Sequence, residues 1–178
     1  MGGINQAYYM LGRLYGDSRK TLLDYCGVDQ YFGTWRGGGP ETWGTLIEEW
    51  SEITGSKLLV NEWGYASEGG LQNAEERRAS WMPGDFYLCC RFRKFAHAWG
   101  AGHTPEVQAD YIRAALRVFA SRQDRLIGCF FYRWEDQERC WCGRSDCPGE
   151  TRWGIVDISG NPKPGYHAFK ETVRQLFG

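Results

Sequence analysis

Apolar side chains recur along this chain with two periods, and the switching between them predicts the elements. From Gln6 to about Lys20 the spacing predicts a helix with Tyr8, Leu11, Tyr15 and then Leu22 along one side, although Gly12 and Gly16 weaken it. Leu22 to Tyr31 predicts a strand, continued by Phe32-Gly33-Thr34-Trp35. Beyond the loop Gly37-Gly38-Gly39-Pro40, Trp43, Ile47, Trp50 and Ile53 share one helical face. Gly55-Ser56 then opens a short apolar run, Lys57 to Glu62, which predicts a buried strand closed by Gly64. A long connection of mixed character follows, and within it Phe92, Phe95, Ala96 and Trp99 predict a short helix over 85–99. Thr104 and Pro105 supply an N-cap and first turn for the next helix, whose stripe is Val107, Tyr111, Ala114 and Val118. Arg125 to Trp134 predicts a third strand, a polar cysteine-bearing loop follows, and a last helix from about Pro164 carries Tyr166, Phe169, Val173 and Leu176.

The predicted order is strand, helix, strand, helix, strand, helix. Units of that kind imply an α/β fold with parallel strands joined by right-handed crossovers. A doubly wound nucleotide-binding sheet would place a glycine-rich phosphate turn between a strand and a helix, and none of the three strand ends has one. Each ends instead in large polar and aromatic residues. That suits a (β/α)8 barrel, whose active site is assembled from strand C-terminal ends and the loops after them.

Composition narrows the functional classes. The chain has 178 residues, a formal charge of -1 and 42% apolar residues, enough for one globular domain with a sizeable core. Acids and bases are mixed along it, so it has no clustered basic face for nucleic acid. No stretch approaches the roughly 18–20 apolar residues that span a bilayer, and Met1-Gly2-Gly3-Ile4-Asn5 has neither the basic nor the apolar region of a signal peptide. The expectation is no membrane partner and a cytoplasmic location, or a secreted one if a leader has been lost. Nine Trp, ten Tyr and nine Phe are the outliers, and several Trp fall in glycine-rich or polar stretches. Flat apolar rings flanked by hydrogen-bonding groups match the faces and edges of sugars, though ordinary core packing accounts for most aromatics.

Glu62 is the candidate for chemistry, because an apolar run carries its carboxylate to the C-terminal end beside Trp63, Gly64 and Tyr65. An isolated strand-end Glu is more often simply solvated. The surrounding motifs favour the chemical reading, because together they resemble the C-terminal part of a retaining β-glycosidase of glycoside hydrolase clan A. Gly27-Val28-Asp29-Gln30-Tyr31 with Gly33-Thr34-Trp35 resembles strand six. Val60-Asn61-Glu62-Trp63-Gly64 resembles strand seven, and Gly128-Cys129-Phe130-Phe131-Tyr132-Arg133-Trp134-Glu135-Asp136 resembles strand eight. Trp153-Gly154-Ile155-Val156-Asp157 through Lys163-Pro164-Gly165-Tyr166 fits the segment leading into helix eight.

The resemblance implies a single partial TIM barrel over 1–178 that supplies roughly the last three βα units. It implies a carbohydrate substrate, Glu62 as nucleophile, Tyr31 as its hydrogen-bond donor and Trp134 as the floor of a sugar subsite. Trp35 and Trp63 are weaker candidates for subsite walls, Asn61 either contacts a hydroxyl or only ends the strand, and Glu135 and Asp136 would contact sugar hydroxyls. Retaining hydrolysis needs a second carboxyl group. In this clan it is a Glu at the end of strand four, usually after Asn, and the only Asn-Glu pair here is Asn61-Glu62. The chain is thus expected to be incomplete alone, and its open sheet edges call for an N-terminal barrel half or self-association. A non-catalytic carbohydrate-binding or structural remnant is the alternative.

Seven cysteines are many for a cytoplasmic domain. Cys26 and Cys129 fall within predicted strands as buried thiols. Cys89 and Cys90 follow the second strand, and Cys140, Cys142 and Cys147 follow the third. If those loops meet, Cys90, Cys140, Cys142 and Cys147 become candidate ligands of a structural zinc. The spacing Cys-x-Cys-x4-Cys is not a standard zinc pattern, so disulfides and free thiols stay open. Glycosidase chemistry itself requires no cofactor.

Overall fold

The computed structural model describes residues 10–15, 24–79 and 86–178. Residues 10–15 are helical (α1), with Leu11 and Tyr15 buried as the periodicity requires; the predicted positions of Tyr8 and Leu22 lie outside the described residues. Three βα pairs then follow: β1 (Cys26–Asp29) with α2 (Thr42–Thr54), β2 (Leu58–Trp63) with α5 (Pro105–Ala120), and β5 (Leu126–Phe131) with α7 (Pro164–Phe177). The connection between β2 and α5 holds β3 (Gly70–Leu71), α3 (Ala74–Arg78), α4 (Phe86–Phe92) and β4 (Lys94–Phe95), and α6 (Pro148–Thr151) lies between β5 and α7.

The main sheet has the order β1-β2-β5, and both pairings are parallel. The fold is therefore α/β with a small parallel sheet, and among the described residues it does not close into a barrel. No described helix is long and apolar enough to cross a membrane. Local chemistry fixes the helix ends. Thr104 accepts a hydrogen bond from the Val107 amide at 3.2 Å ahead of Pro105, and α2 stops at Gly55, whose φ of 62° returns its amide to Ser51 O.

The core lies between the sheet and α2, α5 and α7. Leu58, Val60 and Trp63 of β2 are fully buried against it, and Trp63 meets Phe119 at 5.1 Å and Phe131 at 5.0 Å between ring centroids. Strict alternation would put Val60 and Glu62 on the same face. The β1–β2 register prevents this: Val28 pairs with Val60 but Asp29 pairs with Glu62, so Asn61 is one extra residue on β2. This bulge lets Val60 and Trp63 both face the helices while Asn61 and Glu62 leave that face.

A second core, Ala66, Cys89, Phe95, Cys140, Cys147 and Trp153, sits above the strands' C-terminal ends and joins the loop after β2 to the loop after β5. It also corrects the helix predicted over 85–99, which ends at Phe92. Arg93 turns with φ 55°, and Lys94-Phe95 pair with Gly70-Leu71. The Phe95 ring is fully buried in this second core and its carbonyl accepts from the Gln72 amide, so tertiary packing overrides the helical spacing.

Candidate active site

A pocket of about 280 Å³ opens at the C-terminal ends of the three parallel strands, lined by Tyr31, Trp35, Glu62, Tyr132, Trp141, Glu150 and Trp153. Tyr31 and Trp35 come from the loop after β1, Glu62 from β2 itself, and the other four from the segment after β5. Gly64 makes the approach of these segments possible, because a Cβ there would stand 2.1 Å from the Tyr132 carbonyl oxygen. The same contact zone is closed by Tyr132 N donating to Trp63 O at 2.7 Å.

The Tyr31 hydroxyl donates to Glu62 Oε2. Burial, then the bond to Glu62, pushes the Tyr31 hydroxyl far above the usual phenol range, so it remains a donor. Its ring is held edge-on by Trp153 at 4.9 Å and Tyr132 at 5.9 Å. Trp35 stacks on Trp153 at 6.0 Å with 19° between planes, and the Trp153 indole N–H donates to Gly149 O at 2.9 Å. A second phenol–carboxyl pair lies alongside, where Tyr132 donates to Glu150 Oε2 at 2.6 Å. Glu150 is almost fully buried, and that burial raises its pKa while the bond from Tyr132 opposes the rise.

Glu62, Tyr31 and Trp35 thus meet in one pocket, whereas four other expected contacts do not join them. Trp63 cannot wall a subsite, because it is wholly buried on the helix side of the sheet. Trp134 is 63% exposed and lies edge-on to Tyr166, and Tyr132, two residues earlier, lines the pocket instead. Asp136 is committed to structure: Lys163 Nζ donates to both of its oxygens at 3.0 Å and Gly154 N to Oδ1 at 2.8 Å. Asn61 is exposed on the sheet face opposite the helices, over Gly27, and bonds Asp29, outside the pocket lining.

Sequence reasoning missed Tyr132, Trp141, Glu150 and Trp153 as pocket residues. Tyr132 lay within the strand-eight motif, but Trp134 drew the assignment away from it. Glu150 had no local signal, since only the folding back of α6 over Tyr132 buries it. Trp141 lies between Cys140 and Cys142 on a loop whose cysteines were its only distinguishing feature.

The two cysteine-bearing loops do meet. The sulfurs of Cys90, Cys140, Cys142 and Cys147 all lie within 4.8 Å of one another, and no cysteine among the described residues is in a disulfide. This group is the arrangement among the described residues able to hold a metal ion.

No family model and no curated protein matches the sequence. Solved structures do match the fold. One is a GH2 β-galacturonidase from Eisenbergiella tayi, with TM-score 0.58 and 18% identity over 86% of this chain and 24% of that one. A β-glucuronidase from an uncultured Clostridium sp. gives TM-score 0.58 and 19% identity over 86% of this chain and 23% of that one. A β-D-glucuronidase of Dictyoglomus thermophilum gives TM-score 0.56 and 16% identity over 87% and 23%. The chain therefore shares a fold with part of these glycosidases and spans about a quarter of the length of the first of them.

Proposed function

We propose that this chain is the nucleophile-bearing portion of a retaining glycoside hydrolase of clan A, corresponding to strands six to eight of a TIM barrel. One observation carries the reading: Tyr31 donates to Glu62 across the C-terminal ends of neighbouring parallel strands, inside an aromatic-walled pocket. In that geometry a fixed carboxylate oxygen attacks the anomeric carbon as the glycosidic C–O bond breaks, giving a glycosyl ester on Glu62. Water then hydrolyses the ester, and a second carboxyl group protonates the leaving oxygen and later deprotonates the water. That second group would come from strand four of the completed barrel. Trp35, Tyr132 and Trp141 offer the rings on which a pyranose would rest, and the buried Trp153 backs Trp35 from behind.

The named activities of the structural neighbours make a β-linked uronic acid glycoside the first substrate to test. Further barrel strands, from another chain segment or another molecule, would pair with β1 and β5, the outer strands of the sheet. Ile127 and Phe130 of β5, 54% and 61% exposed, would be covered by that pairing.

The test is incubation with a 2-fluoro glycoside bearing an activated leaving group, with strand four supplied in trans, followed by peptide mass mapping. A glycosyl adduct on Glu62 is expected, and an adduct on any other carboxylate overturns the assignment. A second reading, carbohydrate binding without turnover, is favoured by one feature: the other carboxyl group of the pocket, Glu150, is buried and already accepts from Tyr132. Saturable sugar binding with neither adduct nor turnover in the completed barrel would establish that reading.

A further inference from the structure

We propose that Cys90, Cys140, Cys142 and Cys147 bind one Zn²⁺ ion that fastens the loop after β2 to the loop after β5. The inference stands independently of the carbohydrate reading. Four sulfurs from two segments, one at position 90 and the others within 140–147, converge to within 4.8 Å of one another. Cys90 Sγ and Cys140 Sγ are 3.8 Å apart. A tetrahedral site with Zn–S bonds of about 2.3 Å has sulfur–sulfur edges of about 3.8 Å, whereas a disulfide requires about 2.05 Å. Buried thiols that serve only as small apolar side chains need not gather around one point, and Cys142 is exposed.

The backbone around the sulfurs is also arranged for thiolates. Cys140-Trp141-Cys142-Gly143-Arg144 closes a tight turn, with Gly143 N donating to Cys140 O at 2.8 Å and Cys140 N donating to Arg144 O at 2.9 Å. Gly143 takes φ +82°, a conformation that favours glycine. The amide of Arg144 bonds the Cys142 sulfur and that of Gly149 bonds the Cys147 sulfur. Such N–H···S bonds are what orients and supports the ligands of a metal. Gly149 also leaves room for the cluster, since a Cβ there would stand 3.3 Å from Cys140 Sγ and 3.4 Å from Cys147 Sγ.

Binding replaces four S–H bonds with four Zn–S bonds and releases up to four protons to solvent, leaving a net charge of -2 on the centre. Arg93 and Arg144, joined through Asp146 at 2.8 and 3.0 Å, supply positive charge at its rim. A thiolate-only donor set selects a soft tetrahedral ion, which zinc satisfies without redox chemistry. The consequence reaches the pocket. Trp141 stands between two of the ligands and lines the cavity, so the metal fixes the loop that carries this wall.

The experiment uses the whole chain purified from zinc-supplemented medium. Elemental analysis should give one zinc per chain, and exchange with Co²⁺ should give the d–d and sulfur-to-cobalt charge-transfer bands of a tetrahedral thiolate site. Cys142 should resist alkylation as purified and become reactive when a chelator is added; an immediate reaction would overturn the proposal, because an exposed free thiol has nothing else to shield it. Cys142→Ala should lose the metal, and Cys89→Ala, beside the cluster but outside the four, should keep it. Hydrogen exchange in 86–92 and 140–147 should rise on zinc removal while β1, β2 and β5 stay protected. Metal-free protein, a Cys90–Cys140 disulfide, or full zinc retention in Cys142→Ala would each refute the site.

Discussion

Replacing Lys163 by Met tests whether Asp136 serves the fold and not a ligand. Lys163 Nζ makes bonds of 3.0 Å to both Asp136 oxygens and of 2.7 Å to Ser67 Oγ. The side chains are 11% and 4% exposed, so the pair is nearly withdrawn from water. Burial pushes the Asp136 carboxyl up and the Lys163 ammonium down, and the bonds between them oppose both shifts. Lys163→Met leaves the carboxylate buried with Gly154 N and the more distant Arg152, at 3.9 Å, as its remaining partners. Removing one member of a buried pair costs about 3–5 kcal/mol. For a chain of this size that is a drop of roughly 6–20 °C in Tm. The assay is urea and thermal denaturation of Lys163→Met, Asp136→Asn and the double variant, which should cost less than the two single changes added together. Refutation would be a Lys163→Met cost below about 1 kcal/mol, or Asp136→Asn weakening sugar binding with stability intact.

Three further outcomes are expected. Trp63→Ala should lose about 3–5 kcal/mol of stability through the cavity it leaves among Phe119, Phe131 and Phe169, with sugar affinity of the folded fraction unchanged. Trp141→Ala should do the reverse, weakening sugar binding roughly two- to tenfold, as measured by calorimetry, while the denaturation midpoint barely moves. Glu150 holds its proton more tightly in the folded chain than its ordinary 4.5 allows, so its contribution to stability is full below that pH and declines as pH rises through the raised value. Glu150→Gln, whose carbonyl still accepts from Tyr132, should remove that decline in a series of urea titrations. An identical pH slope in parent and variant would contradict it.

The three strands and their partner helices were legible because each buries one face, and burial imposes a period on the residues. Glu62 was legible for a related reason, since an apolar run carries it to the end of a strand, whereas Tyr31 and Trp35 were read from the likeness of the Gly27 to Trp35 stretch to a family motif. What could not be read was the outcome of long-range packing. The helical spacing of Phe92, Phe95 and Trp99 is real, but a core built from three distant segments takes Phe95 out of any helix. Trp134 looked like the sugar platform, yet the path after β5 turns it toward Tyr166 and leaves Tyr132 in the pocket. Glu150 becomes part of the site only when α6 folds back, and nothing in Pro148-Gly149-Glu150-Thr151 announces that. The four cysteines were identified as a possible set, but their meeting depended on two loops whose paths no spacing rule fixes.

The supernumerary Asn61 makes the acid's orientation a matter of counting. Either side of it, odd and even positions exchange roles, so hydrophobic residues before and after can serve the same interior while the carboxylate is steered elsewhere. Keeping all the same residues in an unbroken two-residue alternation, with Asn61 taken into the ladder, would send Glu62 into the apolar layer and swing Trp63 toward the solvent-filled mouth. In this chain, register can be as decisive for chemistry as the identity of the reacting group.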